Sequence, residues 1–186
     1  NVDPLITGLN PVIVDFGDNG ENVMPYEAAV PMNSVEVSAN TIRYSIAEGF
    51  DLDYTVTETA VKQDLIIKER PVLEDAHGYF GFSEQMIIPL GYGLYLGDDL
   101  LMEDVTQTQE GLAIRHLDTG ETLATIPAPV IIEPGANKSN YATYFVRVFG
   151  NLVELTTAVE SSWLMSEDRQ FPLAIDPTVN VIASNT

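Results

Sequence analysis

Carboxylates are the commonest chemistry-bearing side chains in this sequence, and two stretches gather them beside glycine. Asp15, Asp18, Asn19 and Glu21 surround Gly17 and Gly20, while Asp98, Asp99, Glu103 and Asp104 follow Gly97. Calcium takes roughly six to eight hard oxygens from carboxylates and carbonyls, which acidic loops flanked by glycine can supply. Neither stretch has the alternate spacing of an EF-hand, and the competing reading is a solvated acidic surface. Calcium at Asp15, Asp18, Asn19 and Glu21, or at Asp98 and Asp99, is the metal expectation. No other cofactor is expected.

The residue types that most enzymes use are scarce. Cysteine is absent, which excludes a thiolate nucleophile, a thiolate zinc site and a disulfide scaffold. His77 and His116 are the two histidines. The H-E-x-x-H zinc pattern is missing, and no G-x-S-x-G context accompanies His116 and Asp118 to make a nucleophilic triad. His116 reads as a strand histidine facing solvent and His77 as part of a turn. Paired carboxylates can hydrolyse glycosides, but acids are too common here for any one pair to signal that. The expectation is no enzyme and no catalytic residue.

Aromatic rings are a second resource, because flat rings stack on the apolar faces of sugars. Tyr79, Phe80, Phe82, Tyr92 and Tyr95 concentrate between Gly78 and Gly97. Rings also bury large areas in sheet cores, and core is the favoured reading for the set. Tyr92 lies between Gly91 and Gly93, which suggests an exposed loop or bulge, so Tyr92 and Tyr95 are the candidate ligand contacts. Trp163 reads as a plug at one end of the core. Asn137-Lys138-Ser139 is the sole N-x-S/T sequon, which makes Asn137 the candidate glycosylation site.

The elements that must carry these residues read as strands. Ile42, Tyr44 and Ile46 alternate with polar neighbours, as do Leu52, Tyr54 and Val56, the period of a half-buried strand. Leu112–Leu117 and Thr122–Ile126 flank Asp118-Thr119-Gly120-Glu121, a hairpin signal because glycine accepts the positive φ of a tight turn. Tyr141–Phe149 and Leu152–Val159 form a second hairpin around Gly150-Asn151. Phe171–Ile175 and Thr178–Ile182 close the chain. Helix signals are poor: eleven prolines are spread along the sequence. Ser83–Leu90 is the best helical candidate, and Ser161–Asp168 could form one serine-capped turn. Leu94–Glu103 reads as an irregular loop, and Pro127-Ala128-Pro129 as a crossover between sheets. The fold expectation is all-β: an antiparallel β-sandwich of about ten to twelve strands with little or no helix. Residues 1–40 read as an N-terminal extension bearing an added strand, Val12 to Phe16, which a neighbouring chain could receive. Residues 41–186 read as the sandwich module.

The chain has 186 residues, 8 Lys and Arg against 28 Asp and Glu, and a formal net charge of −20. A surface this negative repels phosphate backbones, so no nucleic-acid partner is expected. No segment approaches the ~20 apolar residues of a membrane span. The sequence starts at Asn1 and reads as a processed or excised piece.

Three blocks carry a family resemblance. The first is Ile42-Arg43-Tyr44, followed by Gly49-Phe50-Asp51-Leu52-Asp53-Tyr54-Thr55-Val56 and Ala60 to Lys68. The second is Gly120 with Ile126-Pro127-Ala128-Pro129. The third is Trp163 with Arg169-Gln170-Phe171-Pro172-Leu173-Ala174-Ile175-Asp176-Pro177-Thr178. Together they resemble a β-rich module of very large secreted or cell-surface proteins of bacteria and archaea, including wall-associated proteins with Rhs-type YD repeats and proteins with DNRLRE-type surface domains. The similarity covers roughly residues 41–181. Thr59-Ala60 replaces a glycine common in that pattern, and the first forty residues match nothing in it. The resemblance implies an extracellular module and no catalytic residues to carry over. The functional expectation is a structural or adhesive module of an extracellular protein, with a fibre subunit as one form. Its partners would be neighbouring subunits or domains. The alternative is a carbohydrate-binding module whose partners are glycans held by Tyr92 and Tyr95.

Overall fold

The computed structural model describes residues 12–16, 23–26, 35–57, 60–73, 78–102, 104–135, 137–139, 141–176 and 178–181. Within them the chain runs through β1 (Val12–Phe16), β2 (Val23–Tyr26), β3 (Val35–Ser38), β4 (Thr41–Ala47), β5 (Phe50–Val56) and β6 (Ala60–Ile67). Then come β7 (Tyr79–Ile87), β8 (Tyr92–Leu96), β9 (Asp99–Leu100), β10 (Thr106–Thr108), β11 (Leu112–His116) and β12 (Thr122–Ile126). The chain continues through β13 (Val130–Glu133), β14 (Asn137–Ser139), β15 (Ala142–Phe149), β16 (Leu152–Glu160), one helical turn α1 (Ser161–Leu164), β17 (Leu173–Asp176) and β18 (Thr178–Val181).

The first sheet has six antiparallel strands in the order β10-β15-β16-β7-β1-β2. Its centre is the β15–β16 hairpin, turned at Gly150 with φ 64°, and β7 pairs along the whole of β16. Alternation sends Ala142, Tyr144, Val146 and Val148 of β15 inward, opposite Val153, Leu155 and Val159 of β16. β7 and β16 approach closely at Gly81, where a Cβ would run into the Thr157 carbonyl oxygen and Ala158. Glycine is required there by contact, not by dihedral.

The second sheet forks. β6 pairs with β5 along one edge and with β17 and β18 in succession along the other. β17 continues to β13 and β14, whereas β18 leads to β12, β11, β8 and β9. β3 and β4 extend the β5 edge.

The sheets cover each other through two apolar clusters, the two-layer solution for faces that are each half apolar. One cluster joins Met86, Tyr144, Val146 and Leu155 of the first sheet to Leu94, Leu112, Ile114 and Ile126 of the second. The other joins Phe80, Phe82 and Val159 to Leu52, Leu65, Ile67, Ile131 and Ile175, with Leu164 of α1. Glu84 lies on β7 between Phe82 and Met86, and so between the two clusters.

The all-β sandwich expected from alternation is the fold, with eighteen strands among the described residues, more than the ten to twelve expected. Four local expectations are corrected. Ser83–Leu90 is not helical: Tyr79–Ile87 is a strand, because its pairing with β16 overrides the weak helical propensity of Ser-Glu-Gln. Leu94–Glu103 is not an irregular loop, since β8 and β9 pair within it around Gly97, φ 58°. The Pro127-Ala128-Pro129 step connects the two arms of the second sheet, not one sheet to the other. The turn at Ser161 begins after Glu160 with no side-chain cap, so the expected serine cap is absent. Val12–Phe16 lies between β7 and β2 of its own chain. The β3–β4 hairpin bridges the division set between residues 40 and 41.

Candidate functional site

Tyr92 and Tyr95 sit on β8, not on a loop. Tyr92 packs edge-on against His116, 5.0 Å between ring centroids, and leans on the first core cluster. Tyr95 lies under the Arg115 guanidinium at 5.4 Å. Both rings are half-buried and already have partners. His116 serves the turn it precedes: its Nδ1 accepts the Asp118 and Thr119 backbone N–H groups.

The acidic candidates fall in several places. Asp98 is fully exposed and pairs with Arg115 at 3.3 Å, and Asp99 is exposed on β9. Asp15 lies on β1, in register with Phe80, while Asp18, Asn19 and Glu21 lie outside the described residues, as do Glu103 and His77. Asn137 opens β14, opposite Glu133. Among the described residues, no three His, Asp or Glu side chains come close enough to share a metal ion.

A different region has the shape of a site. At one end of the outer face of the first sheet is an open groove of about 660 Å³, within the range of roughly 300–1,000 Å³ typical of small-molecule sites. Tyr79, Gln107, Gln109, Tyr141, Thr143 and Trp163 line it, together with the exposed acids Glu110 and Glu160. Register explains the meeting. Tyr79 opens β7 opposite Glu160 at the end of β16, and Gln107 of β10 stands opposite Phe145 of β15. The Ser161 N–H donates to the Gly78 carbonyl at 2.9 Å, which sets α1 at the start of β7 and carries Trp163 to the groove. β10 has three residues and ends just before Gln109.

The groove side chains hold one another. Tyr141 and Trp163 have ring centroids 5.4 Å apart at 32°, and the Arg169 guanidinium lies 4.5 Å from the Trp163 ring. Arg169 is itself tied to Glu133 at 3.2 Å. The Gln107 amide donates to the Tyr79 hydroxyl and the Gln109 amide to the Thr143 hydroxyl, each at 3.3 Å. Tyr79 meets Phe145 edge-on at 5.0 Å. Trp163 therefore does more than plug the sandwich: it packs on the second core cluster and also walls the groove.

Elsewhere the polar groups serve cohesion. Arg43 grips Asp53 through two bonds of 2.6 Å, and Lys68 holds Asp51 at 2.6 Å. Lys62 bridges Asp64 and Asp176 at 2.9 and 3.1 Å. Burial lifts the Asp64 carboxyl to about 6 against the lowering pull of its bond to Lys62, and the neighbouring carboxylates Asp176 and Asp53 add to the rise. Burial opposes the charge on Lys62, yet its bonds to Asp64 and Asp176 leave it held above the ordinary lysine value. Glu84 is sealed between the sheets, and burial alone pushes its carboxyl up to about 8. The hydroxyls of Tyr54 and Tyr144 are held well above the usual phenol range, chiefly by burial and then by Glu84.

Sequence reasoning missed Gln107, Gln109, Tyr141 and Thr143 because they lie on separate strands that only the sheet register brings together. Comparison with protein-family models, with curated proteins and with solved structures finds no match.

Proposed function

We propose that this chain is a non-catalytic structural and adhesive module of an extracellular or cell-surface protein. The observation that carries the reading is how the scarce cations are used. Six of the eight Lys and Arg residues, namely Arg43, Lys62, Lys68, Arg115, Arg147 and Arg169, stand in ion pairs. Several of these pairs tie neighbouring strands, as Arg43 does to Asp53 and Arg147 to Glu154. The excess acids are left to an anionic exterior. Cross-tied sheets with a broad displayed face suit a spacer that holds its shape between neighbouring domains. An anionic coat discourages unspecific association. The resemblance of residues 41–181 to modules of large secreted proteins supports the location.

Assembly by strand donation is not part of the proposal, because β1 pairs on both sides within its own chain. The location is tested on intact source cells with a membrane-impermeant amine reagent. Labelling of this chain before lysis is expected. Labelling only after lysis would refute an extracellular placement.

A further inference from the structure

We propose that the groove beside Trp163 binds a neutral oligosaccharide. This goes beyond the scaffold role and stands on the groove alone. A sugar ring offers two surfaces, an apolar face of C–H groups and a rim of hydroxyls that both donate and accept. The groove offers the counterparts of both. Tyr141 is 58% exposed and offers a flat apolar ring, which packs at 5.4 Å and 32° on Trp163. The amides of Gln107 and Gln109 stand among the hydroxyls of Tyr79 and Thr143. An amide offers two donors and a two-lone-pair acceptor, and each named bond uses one donor, so both amides keep capacity for a ligand.

Preorganisation supports a ligand role. Trp163 is fixed before anything binds, by the core on one side and by the Arg169 guanidinium on another. The glutamines are steered by their bonds to Tyr79 and Thr143. Ordering these side chains thus takes little from the binding free energy.

Charge selects within the class. The acids of the groove are Glu110 and Glu160, and the chain carries −20. Arg169, the nearby cation, is engaged with Glu133 and the Trp163 ring. Sulfated, phosphorylated and uronic acid sugars are repelled, whereas a neutral glycan binds through stacking and hydroxyl bonds. The site lies apart from Tyr92 and Tyr95, which stand on β8 of the second sheet.

Trp163 is the only tryptophan in the chain, so its emission reports this groove. Titration with neutral and anionic oligosaccharides, after a glycan-array screen, is expected to shift Trp163 emission saturably with neutral glycans. Tyr141→Ala and Gln109→Ala should each weaken binding roughly tenfold or more while leaving the melting temperature unchanged. Both positions are exposed, so folding should survive either change. Three results would overturn the proposal: no neutral glycan shifting the emission at millimolar concentration, full-strength binding by both variants, or a preference for anionic glycans or peptides. Each would leave the scaffold reading standing.

Discussion

Glu84 shows what a single residue contributes to a sandwich of this kind. Its carboxyl is fully enclosed, and one of its oxygens has no hydrogen-bond partner among the described residues. Unfolded, the group titrates near 4.5; folded, burial lifts it to about 8. Between those values the native chain holds a proton that the unfolded chain has lost. Stability from this group is therefore intact below pH 4.5 and declines as pH rises towards 8, by up to about 1.4 kcal/mol per pH unit. Glu84→Gln removes the titration and keeps the shape. Chemical denaturation across pH should show the variant and the parent matching near pH 4.5 and the variant clearly more stable at pH 8. Equal stability at pH 8 would mean that the carboxylate finds solvation inside the sandwich. Tyr144 is a second enclosed polar side chain, and its hydroxyl is satisfied, donating to the Pro127 carbonyl at 2.9 Å.

Among the elements, β4, β5 and β6 share a charged face, and their pairing places charges opposite one another. Arg43 stands directly opposite Asp53, and Asp53 directly opposite Asp64. The like-charged pair is tolerated because Arg43 and Lys62 each take one member. Arg43→Met should leave Asp53, 8% exposed, without its cation and destabilise the fold by about 1–3 kcal/mol. Thermal melting should show this loss, and Asp53→Asn in the Arg43→Met background should recover part of it. How much of this was legible in the sequence depended on the element. The Leu112–Ile126 hairpin was readable because Gly120, φ 71°, marks its turn. β7 was misread because Ser83, Glu84 and Gln85 resemble helix-forming residues, and only its pairing with β16 makes them a strand. Gly91 and Gly93 suggest an exposed loop around Tyr92, whereas Tyr92 and Tyr95 stand on a strand and are reached by His116 and Arg115 from the neighbouring strand, which no local pattern reports.

For the whole molecule, the division of labour is spatial. Apolar residues fill the space between the sheets, cations tie strands together, and rings with amides gather at one end of the outer face of the first sheet. The groove draws on the starts of β7 and β15, on β10, and on the turn after β16. A site assembled from four distant segments leaves no contiguous motif, so the sequence shows its rings only as scattered aromatics. The central proposal is attachment without chemistry. It is tested by incubating the purified chain with cell envelopes of the organism that makes it, then measuring both the sedimented fraction and any soluble fragments released. The account predicts that the chain sediments with the envelopes, that Tyr141→Ala sediments far less at an unchanged melting temperature, and that no fragments accumulate. Fragments accumulating with time, or a chain that stays in the supernatant, would contradict it, whereas equal sedimentation of the variant would count against the groove alone.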